Sequence, residues 1–179
     1  MAFDAVAELG TGRESTEAAF ELYDRLDPVD AASMIGRWRG DGFTTGHALD
    51  GVLERFGWYG KEFVDADNVH PLLFHTGSGG IRKLNPALMP LALGLRFPQL
   101  NNDVSAKLFR ATQGLLATST SKARLRMTEY RGKVSATMCY DQRPIHDVFR
   151  RVDDDTVLGA MDMKGMDQTL FFLLRRDRD

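Results

Sequence analysis

Polar and apolar positions alternate most regularly between Lys122 and Arg176. Ala123, Leu125 and Met127 alternate with Arg124, Arg126 and Thr128, the period-two pattern of a half-buried strand. A turn at Tyr130-Arg131-Gly132-Lys133 follows. The next strand sets Val134, Ala136, Met138 and Tyr140 on one face and Lys133, Ser135, Thr137 and Cys139 on the other. Asp141-Gln142-Arg143-Pro144 is turn chemistry, because proline fixes φ and lacks a donor. The pattern then predicts strands over 145–152, 157–163 and 169–176. Five strands with no helix between them pair antiparallel, and closure into a barrel removes their open edges.

The front of the chain supplies the rest. Ala18, Phe20, Leu22, Tyr23 and Leu26 share one helical face, and Pro28 ends that helix. A second short helix is expected over 30–35. This 1–35 segment either caps a barrel end or packs outside. Leu49, Val52, Leu53 and Phe56 predict a short helix that is a lid or a plug. Further strands are expected over 57–65, 69–76 and 81–84, giving eight or nine in all, a number at which a barrel interior is filled or holds one small ligand. Residues 85–101 are apolar and broken by Pro90, which reads as a flap over the mouth or, preferably, a homodimer surface. A helix over 103–118 turns Val104, Leu108, Ala111, Leu115 and Leu116 inward. The expected organisation is a helical segment, 1–35, and one barrel domain, 36–179. That domain comprises a half-sheet (36–84), an apolar and helical insertion (85–121) and the meander (122–176).

The chain has 179 residues, 43% hydrophobic and 27% charged, enough for a sizeable core. A net charge of −2 gives no basic field for nucleic acid. One cysteine, Cys139, excludes an internal disulfide framework. No apolar run suits a membrane span, and Met1-Ala2-Phe3-Asp4 does not open a signal peptide, so a cytoplasmic protein is expected.

The most distinctive local pattern is Gly36-Arg37-Trp38-Arg39-Gly40. Its glycines permit close backbone approach, and the indole of Trp38 closes a barrel floor. Here the chain resembles the GXWXG family, which is named for this motif. The resemblance runs on through Thr45-Gly46-His47, Gly57-Trp58-Tyr59-Gly60-Lys61 and Val69-His70-Pro71-Leu72-Leu73-Phe74. Tyr130-Arg131-Gly132, Tyr140-Asp141, Asp147 and Gly159-Ala160-Met161-Asp162 resemble the family of unknown function that usually follows it. The resemblance covers about 36–176 and implies no activity. The Gly-x-Trp opening is also similar to that of lipocalins, fatty-acid-binding proteins and haem-binding nitrobindins. Together these imply a mainly β fold: an antiparallel, calycin-like barrel of 8–10 strands, with N-terminal helices and a helical insertion near 85–118.

Candidate chemistry is sparse. Among four histidines none has metal-ligand spacing, so no metal site is expected. His70 is either a buried histidine bonded to backbone or a ligand contact; His47 caps a helix or faces the portal. Cys139 reads as a buried thiol. Asp147 and Asp162 stand on strands where apolar residues are expected. If they point inward they need partners: Arg126 or Arg150 for Asp147, Lys61 or Lys164 for Asp162. Trp38, Trp58, Tyr59, Met138, Tyr140, Met161 and Phe172 would line the interior. The leading expectation is a binding module for one small, mostly apolar molecule, lipid-like or haem-like, with a carboxylate, carbonyl or hydroxyl head. The alternatives are a barrel enzyme that uses Asp147 or Asp162 with His70 or Tyr140 on a carbonyl or ester, and a dimerising domain. No catalytic residue or cofactor is assigned.

Overall fold

A computed structural model describes residues 15–89 and 101–178. Its strands are β1 (Asp27–Pro28), β2 (Gly36–Phe43), β3 (Trp58–Phe63), β4 (Val69–His75), β5 (Ile81–Lys83), β6 (Ala123–Tyr130), β7 (Lys133–Tyr140), β8 (Ile145–Arg151), β9 (Thr156–Met163) and β10 (Leu170–Arg176). Eight of them close a ring in the order β2, β3, β4, β6, β7, β8, β9, β10 and back to β2. All pairings are antiparallel. β1 extends the β8 side and β5 flanks β4. The ring is uneven: β6 and β7 share eight paired positions, whereas β4 and β6 meet at Val69 and Ala123 alone. The chain leaves this seam after β4 and returns to it at β6, with the insertion between.

Among the described residues, four α-helices accompany the ring: α1 (Thr16–Arg25), α2 (Ala31–Met34), α3 (Val52–Arg55) and α4 (Asp103–Leu116). Ser15 and Asp30 cap α1 and α2 by accepting from the amides of Ala18 and Ser33. Of the described front residues, α1 and α2 lie in different places. α1 lies outside, where Ala19, Leu22, Tyr23 and Leu26 pack on Phe43, Leu158, Ala160, Phe171 and Leu173. α2 closes one end, because Met34 joins the inner cluster and its carbonyl accepts from Trp38 Nε1 at 2.8 Å.

That inner cluster fills the lumen with Trp38, Trp58, Phe63, Phe74, Phe149 and Phe172, among others. Each such side chain contributes roughly 1.5–3 kcal/mol by leaving water. Because α1 covers the outer face, β9 and β10 are buried on both sides.

α4 presents a different face from the one expected, Leu116 excepted. Val104, Leu108 and Leu115 are 77%, 65% and 81% exposed. The inward residues are Ala106, Phe109, Gln113 and Leu116, one step round the helix. Phe109 anchors it, with ring centroids 5.2 Å from Phe74 and 5.3 Å from Phe56. Of the apolar stretch 85–101, residues 86–88 form a 3-10 turn. Arg143 pins that turn by donating to the carbonyls of Pro86, Ala87 and Met89. Residues 90–100, and with them most of the expected homodimer surface, lie outside the described residues. No described helix is long and apolar enough to cross a membrane.

Candidate functional site

Lys61 enters the lumen through an irregularity in β3. In a regular strand, residues three apart face opposite ways. β3 shifts register against β4 between Trp58 and Gly60 and again between Gly60 and Glu62. These bulges bring Trp58 and Lys61 both inward. Asp147 arrives from β8 by plain alternation, between the lumen residues Ile145 and Phe149.

Lys61 Nζ stands 2.8 Å from Asp147 Oδ2, with the side chains 3% and 1% exposed. It also donates to the Pro71 carbonyl at 3.3 Å. Aromatic faces surround the ammonium: Phe172 at 4.9 Å, Trp58 at 5.6 Å and Tyr140 at 5.8 Å from the ring centroids. Asp147 Oδ1 is buried and has no hydrogen-bond partner among the described residues. Burial raises the Asp147 carboxyl above its usual range, against the pull of Lys61. Burial, reinforced by Asp147, raises the Tyr140 phenol well above its ordinary value.

α3 lies over this region as a single short turn between Gly51 and Gly57. It is tied to α4 by Arg55, 3.0 Å from Asp103, and by the Phe56–Phe109 contact. Beneath α3 is a cavity of about 10 Å³, room for one water, lined by Gly42, Leu49, Leu53, Glu54, Leu170 and Phe172. Phe172 lines it and also carries Lys61 Nζ over its ring. Where the sequence suggested a hollow, the described lumen is packed, because side chains meet across a ring of eight strands.

The remaining expected site residues separate into inside and outside. Trp38, Trp58, Met138, Tyr140, Met161 and Phe172 belong to the inner cluster. Asp162 is exposed and pairs across the sheet with His146. It shares its face with Leu158 and Ala160, which are buried by α1 rather than by the lumen. Tyr59 points outward to Asp177 and lies against His75. Arg126 pairs with Asp67 at the surface, not with Asp147. Arg150 is fully buried under α1, donating to the Tyr130 carbonyl and facing the Tyr23 ring. His47 caps locally: its Nδ1 accepts from the Leu49 amide at 3.0 Å. His70 lies opposite Glu62 and near the Lys83–Glu62 ion pair, with Nδ1 lacking a partner among the described residues. Burial lowers the pKa of both histidines and raises that of the half-buried Cys139. Among the described residues, no three His, Cys, Asp or Glu side chains gather to hold a metal.

Residues 21–79 match the family described as GXWXG protein, and residues 121–176 match the domain of unknown function DUF4334. The crystal structure of a protein from Thermomonospora curvata is similar along 99% of both chains, with 39% identity and a TM-score of 0.71. The chain belongs to the GXWXG family. No curated protein matches it.

The GXWXG motif lies on β2, at the wall and floor of the lumen. The Trp38 ring carries the Arg176 guanidinium at 4.3 Å on one side. Gly40 makes room for the second tryptophan, since a Cβ there would overlap the Trp58 ring. Arg37 and Arg39 point outward and clamp Asp177, at 2.7 Å and 2.9 Å. Sequence reasoning missed the pairing of Lys61 with Asp147. The available signal was Gly60, a strand glycine of the kind that marks a bulge.

Proposed function

We propose that the GXWXG barrel binds one small molecule in its lumen, with a polar head at Lys61 and Asp147 and an apolar body against Trp58, Tyr140 and Phe172. One observation carries this reading: Asp147 Oδ1, without a hydrogen-bond partner among the described residues, beside a buried lysine in an otherwise apolar interior. A buried ion pair of this kind is poor value for stability, because desolvating each ion costs several kcal/mol. A polar cluster with one bonding site left open fits ligand recognition better than it fits packing.

The described arrangement is then the closed form. The cavity under α3 admits one water, so a ligand enters when α3 lifts and Phe172 swings aside. The Arg55–Asp103 pair and the Phe56–Phe109 contact are the latch. An acid–base enzyme has less support. Asp147 and Tyr140 share the lumen, but Asp162 is on the outer surface and His70 is beside Glu62 and Lys83.

Native mass spectrometry of the purified protein, before and after organic extraction, tests the proposal, with Nile red fluorescence as a second readout. A bound mass that extraction removes, or saturable Nile red emission that rises faster in Arg55→Ala, is the expected result. Bare protein mass together with no Nile red binding, in both wild type and Arg55→Ala, overturns it.

A further inference from the structure

The charge balance of the lumen narrows the class of ligand. We infer that the site selects a molecule with an electroneutral head that both donates and accepts a hydrogen bond, such as a primary alcohol or amide on an apolar body. This rests on the lumen reading above.

Lys61 has three N–H donors. Two are accounted for by Asp147 Oδ2 and the Pro71 carbonyl. The third has aromatic rings around it and no oxygen partner among the described residues. Asp147 uses Oδ2 on Lys61 and leaves Oδ1 open. The pair therefore leaves one donor on Lys61 and one acceptor on Asp147 unused, and a hydroxyl or a primary amide satisfies both. The two charges cancel, with both side chains almost wholly buried. A carboxylate head would add an uncompensated negative charge against Asp147. An ammonium head would do the same against Lys61. Either is disfavoured where water cannot screen it.

Nile red displacement by decanol, decanamide, decanoate and decylamine at about pH 8, where the acid and the amine are charged, tests this on the whole protein. The expected order puts decanol and decanamide at least tenfold tighter than either charged compound. Asp147→Asn leaves Lys61 alone, so decanoate is expected to overtake decanol in that variant. Should Asp147→Asn fail to fold by circular dichroism, Lys61→Met gives the mirror test, in which decylamine gains on decanol. Decanoate or decylamine binding the wild type as tightly as decanol overturns the inference and leaves the lumen reading standing. No displacement by any of the four, in a protein that does bind Nile red, overturns the head-group assignment. Failure to bind Nile red at all removes both.

Discussion

Gly60 lies so close to Trp38 across β2 and β3 that a Cβ at Gly60 would overlap the Trp38 carbonyl oxygen. Its φ of 144° adds a backbone conformation that other residues rarely adopt. Gly60→Ala is therefore expected to cost about 3–5 kcal/mol. Gly77, with open space around it, is the control, and Gly77→Ala should stay within about 0.5 kcal/mol. Chemical denaturation of the two variants checks the contrast, and equal losses would contradict it.

The Lys61–Asp147 pair calls for a double-mutant cycle. Lys61→Met leaves a buried carboxylate without its cation, and Asp147→Leu leaves the ammonium without its anion. Each is expected to lose about 3–5 kcal/mol. The double variant should lose less than either single one, because no buried charge remains. Additive losses would mean that the two groups do not act as a pair.

The face of α4 can be tested directly. Phe109→Ala removes a ring wedged between Phe56 and Phe74 and should cost about 3 kcal/mol or more. Leu108→Ser, on the exposed side, should change stability by no more than about 0.5 kcal/mol. Thermal unfolding separates the two, and the reverse ranking would favour the inward face expected from sequence.

Acid sensitivity follows from two histidines. Burial holds His47 and His70 below the usual histidine value, with Lys83 adding to the effect on His70. In the unfolded chain each titrates near about pH 6.5, so there the unfolded state binds more protons. Their stabilising contribution is present above about pH 6.5 and is lost as pH falls through the folded-state values. Asp147, raised by burial, has the opposite slope, starting near the unfolded aspartate value of about 3.9. Denaturation midpoints should fall between about pH 7 and about pH 5, less steeply in His70→Gln. A midpoint flat across that range would contradict the assignment.

The strands were legible in the sequence; on β3 and β9, which side faces the lumen was not. Alternation located β6 to β10 within a residue or two, because turn residues separate them cleanly. It left Asp162 a candidate for the interior alongside Leu158 and Ala160 because α1 buries the outer face of β9 as thoroughly as the lumen buries the inner one. Hydrophobicity carries no sign for inside when both sides are dry. Tyr59 and Lys61 were both placed inside, as residues two apart on a regular strand would be. Only the bulges around Gly60 decide which one enters. On α4, the most apolar stripe lost to the one bearing Phe109, since ring contacts with Phe56 and Phe74 fix the helix.

The seam where Val69 and Ala123 alone join β4 to β6 also separates the two family matches. Of the ring strands, the first carries β2 to β4 and the second β6 to β10, so three and five each stop short of a circle. A gene that kept one match and shed the other would encode a sheet with two raw rims, obliged to borrow its missing arc from a sister chain or to clump.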